Sequence, residues 1–279
     1  MKRIAQIAAV QMVSTPVVRE NLQSAAGLVA RAAADGADLV VLPEYFCILG
    51  NKETDKVEAR EPVEAGRNAG PIQEWLSATA ARHKVWLVGG TIPVDCGSAQ
   101  KILNTSLVYG PDGKLVARYD KIHLFGFRRE HEDGRVEQFD EARTIVHGSN
   151  APVAFDTPFG RVGLSVCYDL RFPELYRALG ACDLLLVPSA FTATTGKAHW
   201  EPLLRARAIE NLAYVLAPAQ GGLHANGRRT HGHTMFIDPW GTILGELVEG
   251  EGVVAGRIDL DEIAAFRASL PALAHRTLR

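Results

Sequence analysis

Two ten-residue segments, ADLVVLPEYF at 37–46 and CDLLLVPSAF at 182–191, align position for position without a gap. Each carries an unbroken apolar run, follows a helical pattern, and ends on proline and then a polar residue, Glu44 in one and Ser189 in the other. A short apolar run bounded by turn residues reads as a buried strand. Strands that alternate with helices imply α/β layers around an extended sheet. We read the pair as two related βαβ halves with a site carried between them.

The rest of the chain fits that alternation. Ile4 to Met12 reads as a first strand, and Glu20 to Ala34 as an Ala-rich helix stopped by Gly36. Pro71 to His83 is a helix with proline at its first position, followed by a strand from Val85 to Gly89. A hairpin turns at Pro111-Asp112-Gly113 between Thr105–Tyr109 and Lys114–Tyr119, and delivers Lys121 just past its second strand. Gly50 to Gly70 reads as a charged surface loop or short helix, and Leu124 to Asn150 as a long loop without periodicity. A loop that long within a compact fold is usually functional. Later strands are expected at Asp183–Val187, Tyr214–Ala217, His233–Asp238, Thr242–Leu247 and Val253–Ile258, with helices at Pro173–Leu179 and His199–Asn211. No linker divides the 279 residues, so we expect a single domain over 1–279 with a tail from about residue 260.

The most chemical stretch is RVGLSVCYDLRFP, Arg161 to Pro173. Val162, Leu164 and Val166 make a short buried strand, and Pro173 with Glu174 opens a helix, so Cys167 stands at a strand-to-helix turn. Such turns expose a side chain above the sheet edge with backbone N–H groups aimed at it. A lone cysteine is more often a small core residue, but Asp169 and Arg171 directly behind Cys167 make this strand end polar. Glu44, Lys121 and Cys167 all follow apolar strands, and strand ends on one rim converge. A thiol, an ammonium and a carboxylate meeting there suit a hydrolase. The carboxylate moves the thiol proton to a leaving amine, and the ammonium steadies the thiolate or the tetrahedral oxyanion.

Composition excludes several classes. The net charge is −2 and the basic residues are scattered, so nothing points to nucleic acid or an anionic membrane. Four cysteines without CxxC spacing are expected as reduced thiols of a cytoplasmic protein. The start MKRIAQIAAVQM is broken by Gln6 and Gln11 and reads as a strand rather than a signal peptide, and no apolar run reaches membrane-spanning length. His199, His224, His231 and His233 match no zinc spacing. Arg205 and Arg207, with Glu210, could bind a substrate carboxylate, but a buried polar network or ion-paired face is the favoured reading, with Arg171 also structural. Phe191 and Thr192, just past the second echoed segment, are expected to line a pocket.

Over essentially its whole length the chain resembles the nitrilase, or carbon–nitrogen hydrolase, superfamily. The resemblance is carried by LVVLPEYF around Glu44, RYDKIHLF around Lys121 and GLSVCYDLRFPELYRAL around Cys167. PSAFTATTGKAHWEPLLRARAIENLAYVLAPAQ and GHTMFIDPWG look like the Nit-type amidase subgroup. The resemblance implies a four-layer α-β-β-α sandwich and a triad at Glu44, Lys121 and Cys167. It also implies attack by the cysteine on a carbonyl or nitrile carbon, loss of ammonia or an amine, and hydrolysis of the thioester by water. The lysine and the backbone N–H of Tyr168 would hold the oxyanion. QFDEARTIVHGS looks like the block that carries a second family glutamate, which places it at Glu141, with Glu130 as the competitor. No cofactor or metal is implied, and the family's assemblies suggest a homodimer or larger homo-oligomer.

The expected activity is hydrolysis of a small linear amide to a carboxylate with release of ammonia, with deaminated glutathione the favoured substrate. Alternatives are an ω-amidase on α-keto acid amides, a nitrilase or an N-carbamoyl amidase. A scaffold that has lost catalysis would lack a triad residue, and all three are present.

Overall fold

The computed structural model describes residues 2–63, 70–130, 132, 134 and 136–278. Parts of the expected segments Gly50–Gly70 and Leu124–Asn150 therefore lie outside the described residues. The first half of the chain runs β1 (Ile4–Gln11), α1 (Val18–Ala34), β2 (Leu39–Val41), α2 (Asp55–Glu58), α3 (Pro71–His83), β3 (Trp86–Val88), β4 (Ile92–Asp95), β5 (Ile102–Tyr109) and β6 (Leu115–Asp120). A ribbon of β7 (Gly126–Glu130) and β8 (Val136–Asp140), then β9 (Ile145–Val146), leads into the second half. That half comprises β10 (Ala154–Thr157), β11 (Gly160–Leu164), α4 (Pro173–Ala178), β12 (Leu184–Leu186), α5 (Ala193–Asn211), β13 (Tyr214–Ala217), β14 (Thr234–Ile237) and β15 (Ile243–Leu247). The chain then returns as β16 (Gly252–Asp259) and ends with α6 (Leu260–Ser269).

Two sheets result. One has the order β16-β1-β2-β3-β5-β4, with β6 and β9 also on β5; the other has the order β10-β11-β12-β13-β14-β15. The echoed segments occupy equivalent places. β2 lies parallel between β1 and β3, and β12 lies parallel between β11 and β13. A strand flanked by parallel neighbours is buried on both faces and must be apolar throughout, as LVV and LLL are.

Side-chain alternation then sorts the layers. On β1, Ala8 and Val10 pack with Ala25, Val29 and Ala32 of α1 and with Ile72, Leu76 and Ala80 of α3. The intervening Ile7 and Ala9, with Leu39, Val41 and Val88, face the other way into a cluster with Val162, Leu164, Leu186 and Leu216 of the second sheet. Trp200, Leu204 and Ala208 of α5 join that cluster from beyond the second sheet. The result is a four-layer α-β-β-α sandwich.

Several elements differ from the sequence reading. The segment expected as a structureless loop after Leu124 contains the β7–β8 ribbon, which pairs Phe127 with Phe139. Its strands are short and mostly exposed, so they carry no apolar run to detect. The helix expected from His199 starts six residues earlier, where Thr192 caps it by accepting a hydrogen bond from Thr195 N–H. Thr194, Thr195 and Gly196 in its first turn are weak helix formers and hide that start. Strands β4 and β10 were not anticipated; each is four residues long and pairs only at a sheet edge.

Gly90 shows how closely the first sheet is fitted around the end of β2. Its φ is +43°, and a Cβ there would stand 1.9 Å from the carbonyl oxygen of Pro43 and 2.6 Å from that of Leu42. Both obstacles are backbone. Gly90→Ala is therefore expected to cost about 2–4 kcal/mol, from overpacking plus left-handed strain, measured by urea unfolding. A loss within 0.5 kcal/mol would show that the backbone before Glu44 yields readily.

Candidate active site

Glu44 follows Pro43 beyond the end of β2 and is 1% exposed. Its Oε1 accepts hydrogen bonds from Lys121 Nζ and Asn104 Nδ2, both at 2.9 Å, and its Oε2 accepts one from Ala190 N–H at 2.9 Å. Ala190 belongs to the second echoed segment, so the two halves meet at this carboxylate. Lys121, fully buried after β6, donates also to both carboxylate oxygens of Glu141, at 3.0 and 2.8 Å. Glu141 opens a short 3-10 turn after β8 and further accepts from Tyr45 OH at 2.9 Å and Phe125 N–H at 2.7 Å. Glu130, the competing glutamate, is exposed on the ribbon and is not part of this cluster. Asn104 sits on β5, and Tyr45 directly follows Glu44.

Cys167 is the first residue of a 3-10 turn that begins two residues past β11, and it is buried. Its φ is +49°, and Tyr45 has φ +56°. Left-handed backbone is uncommon for residues with a Cβ and costs of order 1 kcal/mol or more at each site. Both strained residues adjoin the charged cluster. Cys167 N–H donates to Pro188 O at 3.0 Å, which sets the turn against the end of the second echo. Glu44, Glu141, Cys167, Tyr168, Phe191 and Thr192 line one narrow crevice. The structure thus brings these six together, with Lys121 directly behind them, bonded to both carboxylates.

Burial governs the electrostatics. It pushes the Cys167 thiol well above the usual range; Glu44 adds to the push, Lys121 opposes it and Glu141 adds to it again. Burial alone would lower the pKa of Lys121, but the fields of Glu141 and Glu44 outweigh it and hold the ammonium charged. Burial would raise the carboxyl of Glu141, yet Lys121 keeps it below the ordinary value. The Lys121 ammonium and the Glu141 carboxylate are therefore held charged beside a neutral thiol.

Asp169 was seen from sequence only as a polar residue behind the cysteine. It is fully buried and accepts from Tyr119 OH at 2.7 Å, Val166 N–H at 2.9 Å and His123 N–H at 3.0 Å, with His123 Nδ1 at 2.7 Å. Tyr119 and His123 flank Lys121, and Val166 precedes Cys167. One carboxylate therefore fixes the lysine segment against the cysteine turn. Arg207 braces the same turn by donating twice to Leu170 O, at 3.0 and 2.9 Å, while pairing with Glu210. Arg171 lies over the rings of Tyr168 and Phe191, which also line the crevice. His199 contacts Arg171, His224 bonds Ser14 O and Thr230, and His231 stacks on His233. Arg228, unnoticed in the sequence, lines the crevice and donates to Ala190 O at 2.7 Å.

The chain is similar to known proteins over nearly its whole length. The family model described as carbon-nitrogen hydrolase matches residues 6–268. A protein of Synechocystis named deaminated glutathione amidase is 45% identical over 273 residues, covering 96% of this chain and 97% of its own. A Yersinia enterocolitica protein of the same name is 38% identical, covering 97% and 92%. The crystal structure of Saccharomyces cerevisiae Nit3, described as a member of branch 10 of the nitrilase superfamily, superposes with a TM-score of 0.84 at 31% identity and covers 97% of this chain and 96% of that one.

The charge pattern yields a directional test. Glu44→Gln removes an upward push on the Cys167 thiol, so its thiolate should form at lower pH than in the wild type. The pH–rate profile for alkylation of Cys167 by iodoacetamide should shift to lower pH. A shift to higher pH would contradict the arrangement described.

Proposed function

The chain belongs to the carbon–nitrogen hydrolase family and is an amidase that acts on C–N bonds other than peptide bonds, and on that premise we propose that it hydrolyses deaminated glutathione through a Cys167 thioester. The observation that carries the mechanism is the buried Lys121 ammonium held between Glu44 and Glu141 beside the thiol. Glu44 takes the thiol proton as sulfur attacks the amide carbon. The carbonyl becomes an oxyanion, held by Lys121 and the backbone N–H of Tyr168. When the C–N bond breaks, Glu44 returns that proton to the departing nitrogen. Water then attacks the thioester, giving its proton to Glu44, and the thiol leaves reprotonated with a free carboxylic acid as product. Glu141 orients Lys121 throughout.

In deaminated glutathione the non-peptide amide joins the five-carbon keto acid to cysteinylglycine. The leaving group on this reading is that dipeptide's amine, whereas ammonia would leave from a primary ω-amide. The names borne by relatives at 45% and 38% identity support the larger substrate over ω-amides, nitriles or carbamoyl compounds. The triad is complete, which counts against a non-catalytic scaffold. We further place the protein in the cytoplasm as a single-domain homo-oligomer. All four cysteines are unpaired, as suits a reducing compartment. Trp240, Leu244 and Val248 are exposed apolar side chains available to a second copy. No helix among the described residues is long and apolar enough to cross a membrane.

Release of cysteinylglycine from deaminated glutathione, followed by chromatography, tests the proposal. Cys167→Ala should abolish it, and Lys121→Ala should lower kcat by at least roughly 10²–10³, the scale for loss of one oxyanion donor. Turnover of α-ketoglutaramate alone, with ammonia as product, would move the assignment to an ω-amidase.

A further inference from the structure

The crevice at Cys167 encloses only about 10 Å³, near the minimum for one water. Beside it opens a cavity of about 320 Å³, and Phe125, Glu141 and Arg228 line both. A substrate bent across this junction can place its slender half against the thiol and must place its bulkier half in the cavity. The shared wall includes Glu141, a member of the carboxylate cluster that flanks Lys121. A substrate with its reacting carbonyl at the thiol therefore continues past Glu141 into the cavity.

The charges on the cavity wall are unequally engaged. Lys56 is paired with Glu53 at 2.5 Å, Glu141 with Lys121 at 2.8 Å, and the Asp140 carboxylate accepts from Ala142 N–H. Arg228 lies over the ring of Phe139 at 5.2 Å, but its Nε is buried and has no hydrogen-bond partner among the described residues. A buried guanidinium N–H without an acceptor is unfavourable, and an incoming anion removes that cost. Arg143 reaches the same cavity from the turn after Glu141 and is exposed. A planar guanidinium suits a carboxylate better than a lysine ammonium does.

From this we infer that the cavity is the subsite for the leaving half of the substrate, and that Arg228 and Arg143 bind a carboxylate at that half's far end. The inference rests on the amidase reading above and specifies it: the substrate nitrogen carries a flexible, carboxylate-ended substituent of dipeptide size, not a bare NH₂. Phe125 and Phe139 supply the apolar walls between the scissile nitrogen and that carboxylate.

The test compares deaminated glutathione with its analogue carboxamidated at the glycine end. Wild-type kcat/KM should favour the carboxylate by roughly tenfold to a hundredfold, the worth of one or two charged hydrogen bonds. Arg143→Glu, and separately Arg228→Gln, should bring the ratio of the two substrates toward one. Arg143 is exposed, so its variant keeps the test readable should Arg228→Gln fail to fold. Turnover of both substrates without preference, or a preference that survives both substitutions, would overturn the subsite while leaving the amidase reading intact. Absence of turnover would overturn the deaminated glutathione reading. The subsite would then be judged by calorimetry of cysteinylglycine and its carboxamide with the Cys167→Ala protein. Tighter binding of the carboxylate, lost in Arg143→Glu, supports the subsite; equal or absent binding overturns it.

Discussion

A fully buried ammonium is the constraint on which this structure turns. Lys121 has no access to water, so its charge is tolerable only where several oxygens reach it. Glu44 comes from the end of β2, Glu141 from the turn after the β7–β8 ribbon, and Lys121 itself from the end of β6. Three separate chain segments are thus fixed relative to one another by one side chain. Removing either carboxylate leaves a buried charge imperfectly matched, a loss on the order of 3–5 kcal/mol. Stability and site geometry are therefore difficult to separate at these positions.

The second sheet is tied to this cluster by backbone and by Asp169. Ala190 N–H binds Glu44 Oε2, and Cys167 N–H binds Pro188 O, so the echoed segment supplies contacts to both Glu44 and Cys167. Asp169 completes the link, since its donors come from both sides of Lys121 and from the residue before Cys167. These bonds hold Cys167 in its left-handed conformation, which an isolated turn would not adopt. The strain is stored where the thiol must stand clear of the sheet.

Much of this was legible because it lies in short segments. The apolar runs LVVL and LLLV announce strands buried on both faces, and the proline after each marks where polar residues begin. Glu44 follows LVVL and Cys167 follows VGLSV, whereas Lys121 follows LVARYD, so its place was legible from the hairpin that delivers it rather than from an apolar run. Residues that act through tertiary pairing were not legible. Asn104 reaches Glu44 only because β5 runs beside β3 and β6 in the sheet. Arg228 lies in a loop with no periodicity, and its role depends on its reach to Ala190 and Phe139. The β7–β8 ribbon was missed because its side chains face solvent and give no hydrophobic rhythm, although it is what carries Glu141 back to the lysine.

The arrangement of charges also bears on how acyl transfer would proceed in a closed space. On the proposed route the resting site holds a neutral thiol, one ammonium and two carboxylates, a net charge of −1. Moving the thiol proton to Glu44 while the carbonyl oxygen becomes an oxyanion leaves that total unchanged. The negative charge shifts from Glu44 to the oxygen, and Lys121, already bonded to Glu44, is the cation nearest to both. A buried site that had to gain or lose net charge during reaction would incur a fresh desolvation cost at each step. This one redistributes charge around a fixed ammonium, so the high thiol pKa of the resting protein is compatible with a reactive nucleophile. The proton need only travel to a neighbouring carboxylate and never to solvent.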